Sequence, residues 1–215
     1  MRDFLRSLPV FAGVIRDFPT ADLPHDPAVL FSRWLREAVD EGVVEPHAMT
    51  LSTADEAGAP DARILILKDL DEHGWWFATS ADSTKGNQLF TRPTAALTFY
   101  WPSVARQIRV RGSVTAGSPQ LSAADFRSRG TGARAVALAS RESQPLADRE
   151  TCAQAVADAQ RRLSDQPDVV SPTWQVYVLA ARTVEFWQAD KDRQHTRVQY
   201  RRRNLDSWAR TLLWP

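Results

Sequence analysis

In the stretch RILILKDLDEHGWWFATSADSTKGNQL, residues 63–89, three cations stand at the edges of otherwise apolar runs. Arg63 opens RILILK, Lys68 closes it, and Lys85 sits at the head of a short helical run. Thr79, Ser83 and Thr84 add hydroxyls beside them. A helix start presents free backbone N–H groups and the positive end of the helix dipole, so a phosphate is a natural guest. Arginine suits two-pronged contacts to phosphate and lysine acts as a point charge. The competing reading is a set of solvated strand-end charges. A second cluster lies in EFWQADKDRQHTRVQYRRR, residues 185–203, where Arg193, His195 and Arg197 alternate behind Phe186 and Trp187. In an extended chain these three project to one side, where they repel unless an anion lies between them. The competing readings there are a basic C-terminal edge strand and a weak RNA-binding tail.

Other chemistries lack their patterns. His25, His47, His73 and His195 lie far apart, without paired ligand spacing. There is no GxSxG elbow, no Walker loop and no GxGxxG. The single cysteine, Cys152, excludes an internal disulfide and reads as a structural thiol in the helical run ADRETCAQAVADAQRRL. With 27 basic and 26 acidic residues the net charge is +1, which argues against a dedicated nucleic-acid binder. The N-terminal MRDFLRSLPVFAGVIRDF carries charges throughout. It is expected to be neither a signal peptide nor a membrane span, with a cytoplasmic location as the default. Eight tryptophans in 215 residues mean either a large core or an aromatic-lined ligand site.

The elements that must position these groups follow from periodicity. Residues 1–25 read as irregular, broken by Pro9, Pro19 and Pro24. Asp26-Pro27 starts a helix whose apolar stripe is Leu30, Trp34, Leu35 and Ala38, stopped at Gly42. Strands are expected over 49–53, 63–68, 75–80, 95–101 and 106–117, with a turn around Gly74 and a short helix capped by Ser83. In RQIRVRGSVTAG, Ile108 and Val110 face one way and Gln107, Arg109 and Arg111 the other. Short helices follow at SAADFRSR and a longer one over 146–164, then two strands, TWQVYVLAA and TVEFWQ. Short links between strands favour antiparallel pairing, with enough strands to close a small barrel. The expected fold is mainly β with flanking helices (α+β): residues 1–26 as an N-terminal extension and 27–215 as one domain.

The segments RILILK, FATSADSTKGNQL, FYWPSVARQIRVRG, SRESQPL and EFWQADKDRQHTRVQYRR together resemble the pyridoxine/pyridoxamine 5'-phosphate oxidase family, in order and with near-constant spacing from about residue 27 to Pro215. The resemblance implies an antiparallel FMN-binding split β-barrel and a homodimer with FMN at its interface, two sites per dimer. It places Arg63, Ile64, Leu65, Ile66, Leu67, Lys68, Ala78, Thr79, Thr84, Lys85, Gln107, Glu142, Ser143, Trp187 and Arg197 on the cofactor, with Lys85 at its phosphate. It places Lys68, Asp125, Arg129, Ala133, Arg193 and His195 on the substrate side, with Arg193 and His195 over the substrate ring.

The chain departs from the family pattern at four of these positions. Thr84 stands where an arginine is usual and Glu142 where a glutamine is usual. Asp125 and Ala133 stand where the family grips the substrate phosphate with tyrosine and serine. Either Arg134, one position on, supplies a missing contact, or the register of the match shifts within SRGTGARAV. The resemblance implies hydride transfer from a small-molecule substrate to flavin N5, with O2 reduced to H2O2. The first activity it implies makes pyridoxal 5'-phosphate. The alternative, favoured by Asp125 and Ala133, is a tailoring oxidase acting on a non-phosphorylated ring such as a dihydrophenazine carboxylate. A non-catalytic flavin- or haem-binding protein is a third reading. No nucleic acid, membrane or metal partner is expected.

Overall fold

A computed structural model describes residues 1–13, 15–204 and 207–215. The chain runs α1 (Arg2–Ser7), α2 (Pro27–Asp40), β1 (Ala48–Ala54), β2 (Pro60–Ile66), β3 (Asp69–Asp71), β4 (Gly74–Ser80), α3 (Thr84–Thr91), β5 (Thr94–Trp101) and β6 (Arg106–Ala116). It continues with α4 (Pro119–Ser128), α5 (Thr131–Ala139), α6 (Arg149–Asp165), β7 (Trp174–Gln188), β8 (Thr196–Arg202) and β9 (Trp208–Leu213). The helix starts follow local chemistry. Asp26 Oδ1 accepts from the Ala28 N–H, with Pro27 in the first turn, and Ser83 Oγ accepts from the Gly86 N–H. Both contacts satisfy donors that a helix start leaves open.

All strand pairs are antiparallel, in the order β2-β1-β5-β6-β7-β4-β3, with β8 on β7 and β9 on β8. The 15-residue β7 is the rib of the sheet. One edge pairs with β6 over nearly its whole length, from Gln188↔Arg106 to Tyr177↔Ala116. The other edge is shared: Trp174–Leu179 pair with β4 and Thr183–Gln188 with β8. The register against β6 shifts between Arg111 and Gly112. A Cβ on Gly112 would lie 1.9 Å from the Ala180 carbonyl oxygen, so only glycine permits this approach.

The core fills the inner face of the curled sheet with Phe77, Leu97, Phe99, Ile108, Val110, Leu179, Val184 and Phe186, capped by Leu30, Phe31 and Trp34 of α2. The alternation expected in β6 holds: Ile108 and Val110 are buried while Arg111 is exposed. Trp34, Trp75 and Trp101 belong to this core, whereas Trp174 and Trp187 are partly exposed near strand ends. Arg106 is buried across Trp34, its guanidinium 4.2 Å from the ring centroid, and bonds Glu37 at 2.6 Å and Gln188 at 2.8 Å. None of the helices described is long and apolar enough to cross a membrane.

Several expectations are corrected. Residues 2–7 form a short helix rather than irregular chain. TWQVYVLAA and TVEFWQ are one strand, because β6 pairs continuously beneath the change of partner on the other edge. Residues 69–71 form a short strand of the Gly74 hairpin. Helix α5 and strand β9 form where no helix or strand was expected. Cys152 is exposed on α6, not packed as a structural thiol.

Candidate functional site

The first cluster gathers where β4 ends and α3 begins. Lys85 Nζ donates to Glu142 Oε2 at 2.8 Å, and the buried Thr79 hydroxyl donates to the same oxygen at 3.4 Å. The Thr84 N–H, in the first turn of α3, donates to Ser143 Oγ at 3.2 Å. Arg63 reaches the same helix from the neighbouring strand. Its guanidinium bonds Asp61, Thr53 Oγ1 at 2.5 Å, and Gln88 Oε1 of α3 at 3.4 Å. An ammonium and a hydroxyl already close around one carboxylate oxygen, and the adjacent helix start donates to the Ser143 hydroxyl, so the donor set suits an anion. The neighbouring β2 is an edge strand on which Ile64 and Ile66 are exposed and Leu65 partly so. Leu67 is buried, and so is Ala78 of β4.

Beside this cradle stand residues that the resemblance led us to expect on the substrate side. Lys68 Nζ lies 3.2 Å from Asp125 Oδ1, and Asp125 Oδ2 accepts from the Trp174 indole N–H at 2.8 Å. The Arg129 guanidinium lies over Trp174, 3.9 Å from its centroid, and its buried Nη1 has no hydrogen-bond partner among the described residues. Burial lowers the Arg129 pKa, while the Asp125 and Glu142 carboxylates pull it back up. Arg129 therefore holds an unused donor next to an ion pair that is already matched. Ala133 is exposed on α5. Arg134 does not compensate for it: the guanidinium bonds the Pro167 carbonyl and the Val169 carbonyl, the latter at 3.1 Å.

The second cluster gathers at the other end of β7. Gln107 pairs with Trp187, and Trp187 with Arg197, across β6, β7 and β8. Glu185 is buried between two arginines. It accepts from Arg109 at 2.5 Å and from Arg197 at 2.9 Å, and Arg197 also bonds the Trp214 carbonyl at 2.9 Å. Burial raises the Glu185 pKa, but hydrogen bonds and charge from the two arginines outweigh it and hold the pKa below its ordinary value.

The expected alternation of Arg193, His195 and Arg197 along one strand is not what forms. β8 begins only at Thr196. Arg193 lies in a turn at φ +63°. The turn is organised by Asp190, whose Oδ1 accepts from the Asp192 and Gln194 N–H groups at 2.8 and 3.1 Å. His195 Nδ1 accepts from the Asp190 N–H at 3.0 Å, so the neutral ring carries its proton on Nε2. His195 packs on Trp187 at 4.9 Å and on Phe11 at 5.2 Å between ring centroids. Arg193 is exposed beside them. Asp190 and Phe11 escaped the reading of the sequence. The spacing of Asp190 before Asp192 and Gln194 is a turn signal, whereas Phe11 carries none.

Among the described residues, neither a hydrogen bond nor an ion pair nor a ring contact joins the two clusters. They lie at opposite ends of β7, Trp174 at one and Trp187 at the other, up to about 43 Å apart for a straight strand.

The sequence model of the family described as "Pyridoxamine 5'-phosphate oxidase" matches residues 35–163. One described as "Pyridoxine 5'-phosphate oxidase C-terminal dimerisation region" matches residues 174–215, so the chain forms a homodimer through this region. The pyridoxine/pyridoxamine 5'-phosphate oxidase of Pseudomonas paraeruginosa is 42% identical over 197 residues, 91% of each chain. The protein of the same name from Ectopseudomonas mendocina is 41% identical over the same shares. Among solved structures, PhzG from Burkholderia lata 383 in complex with tetrahydrophenazine-1-carboxylic acid superposes with a TM-score of 0.87 at 29% identity, covering 95% of this chain and all of that one. A pyridoxamine 5'-phosphate oxidase-related FMN-binding protein from Nostoc punctiforme shares the fold, with a TM-score of 0.70 at 18% identity over 91% of this chain and 99% of that one. The antiparallel split-barrel fold expected from the sequence is therefore the fold observed, and the chain belongs to the pyridoxamine 5'-phosphate oxidase family of oxidoreductases.

Proposed function

We propose that the chain is an FMN-dependent oxidase whose site is completed by a second copy of itself. The observation that carries this reading is the position of the two clusters at opposite ends of β7. One end holds an anion cradle and the other a ring-facing histidine and arginine, so each site takes one end from each protomer. Residues 27–215 act as one flavin-binding unit, with residues 1–26 as an extension that reaches His195 through Phe11.

The cradle suits the phosphate of FMN. Lys85 and Thr79 already hold a carboxylate oxygen, and the α3 start adds backbone donors. Arg63 and Ser143 flank it, while Gln107, Trp187 and Arg197 would meet the cofactor from the other protomer. Bound FMN would supply two-electron acceptance from a substrate C–H, with O2 as final acceptor and H2O2 as its product. The chain's own part is to position groups and to place charge. Arg193 offers fixed donors to a polar group of the substrate, and the left-handed turn holds them clear of β8. His195, its Nδ1 engaged, presents Nε2–H to hold or pass a proton. Lys68 and Arg129 orient the acidic end of the substrate.

The first substrate reading is pyridoxine or pyridoxamine 5'-phosphate, supported by the relatives at 41–42% identity and by retention of Lys68, Arg129, Arg193 and His195. One observation favours a second reading. Asp125 neutralises Lys68, which leaves the substrate end with a net single positive charge, suited to a ring carboxylate rather than a phosphate dianion. Anaerobic mixing of the FMN-loaded protein with pyridoxine 5'-phosphate separates them. Bleaching of the visible flavin band, restored by air, supports the vitamin reaction. A band that dithionite bleaches but this substrate does not points to dihydro-aromatic carboxylates. A flavin that no donor of either class reduces refutes the oxidase reading.

A further inference from the structure

The anion cradle is filled by the chain's own carboxylate. Glu142 and Ser143 lie in the loop between α5 and α6 and cover the start of α3. Glu142 takes the Lys85 ammonium and the Thr79 hydroxyl, and Ser143 takes the Thr84 N–H. Ser143 does so at φ +70°, a left-handed conformation unfavourable for an L-residue, so the loop is held against local strain. These are donors that phosphate oxygens would use. The Lys85 side chain is only 13% exposed, so water screens its contacts incompletely. The other cations nearby are placed differently, Arg129 keeping one unused donor. Arg63 is engaged by Asp61, Thr53 and Gln88, and Arg129 lies over Trp174.

We propose that Glu142 determines the chain's preference between flavins. Its carboxylate is an internal ligand of the phosphate cradle, which a phosphorylated flavin must displace and a flavin without phosphate leaves in place. This rests on the reading of the cradle as the FMN phosphate site. One ammonium shared by a carboxylate and a phosphate leaves the two anions facing each other, so FMN loses part of the attraction that Lys85 offers. Riboflavin loses nothing. Glutamine at position 142 keeps an oxygen acceptor for Lys85 at nearly the same size and removes the charge.

The test compares the flavin-free protein with Glu142→Gln. FMN and riboflavin are titrated into each and followed by flavin fluorescence. Inorganic phosphate is titrated separately and followed by melting temperature. The expected result is FMN binding about tenfold tighter in Glu142→Gln, from relief of a partly screened like-charge contact. Riboflavin affinity stays unchanged, and phosphate raises the variant's melting temperature at lower concentrations than the parent's. Equal or weaker FMN binding by Glu142→Gln overturns the proposal, as does an equal change for both flavins, which would mean an altered shape rather than a removed charge. If neither protein binds either flavin, the FMN reading fails on its own. The phosphate melts then still decide for or against Glu142. A melting temperature that rises at lower phosphate concentrations in the variant supports the proposal, and coincident phosphate curves overturn it.

Discussion

Asparagine at position 125 tests the charge logic of the substrate half-site. Asp125 stands 3.2 Å from Lys68 and accepts from the Trp174 indole, and its side chain is 17% exposed. An anion held by Lys68 and Arg129 would sit close to this carboxylate. With 332/(εr), a dianion about 5 Å from one negative charge is repelled by about 1.7 kcal/mol even at the dielectric constant of bulk water, and a monoanion by about 0.8 kcal/mol. At about 1.4 kcal/mol per tenfold, Asp125→Asn should tighten pyridoxine 5'-phosphate about fifteenfold and a ring carboxylate only about fourfold. A lower effective dielectric enlarges both gains and widens the gap. Asparagine still offers Trp174 an acceptor oxygen, and losing an ion pair whose side chains are 32% and 17% exposed should cost about 1–2 kcal/mol of stability. Dissociation constants from the shift of the flavin's visible spectrum, at low ionic strength, give both numbers. Equal gains for the two ligands, or none for the phosphorylated one, would refute the electrostatic reading of Asp125.

Arg193→Ala should slow anaerobic flavin reduction about a hundredfold while leaving FMN affinity little changed; loss of FMN instead would mean that the turn serves the cofactor rather than the substrate. Gly112→Ala places a Cβ 1.9 Å from the backbone oxygen of Ala180, and should destabilise the fold by at least about 3 kcal/mol in urea unfolding. Glu185→Gln removes the anion shared by Arg109 and Arg197 and should cost about 2 kcal/mol, less than a fully buried orphaned charge because both arginines are partly exposed. The Glu185 pKa is lowered from 4.5, so its contribution is complete above that pH and fades as pH falls through the lower folded value. The Gln variant should lack this part of the acid-induced loss, and unfolding curves between neutral and acid pH would measure the difference.

Local chemistry was legible and long-range pairing was not. Asp26 and Ser83 announce their helices because a cap needs only its own next three residues. β6 announces its two faces because alternation is written into consecutive positions. Arg193, His195 and Arg197 mislead for a related reason: alternation in sequence projects to one side only if the backbone is extended, and Asp190 bends it into a turn. The break expected in β7 fails because a strand's continuity depends on its neighbour, and β6 lies far upstream in the chain, beyond three intervening helices. In the site, Lys85 and Thr79 converge as their spacing near one helix start suggests. Glu142, from a loop 57 residues later, could not be placed on Lys85 by spacing at all.

The double duty of β7 has a genetic reading. When each site takes one end of the strand from each protomer, lesions at different ends fall into separate complementation groups. A chain defective at Lys85 and a chain defective at Arg193 would each be inactive alone. Their mixed dimer would pair an intact cradle with an intact ring-facing turn at one of its two sites, while the other site carries both defects. Two failing alleles would then yield an active protein.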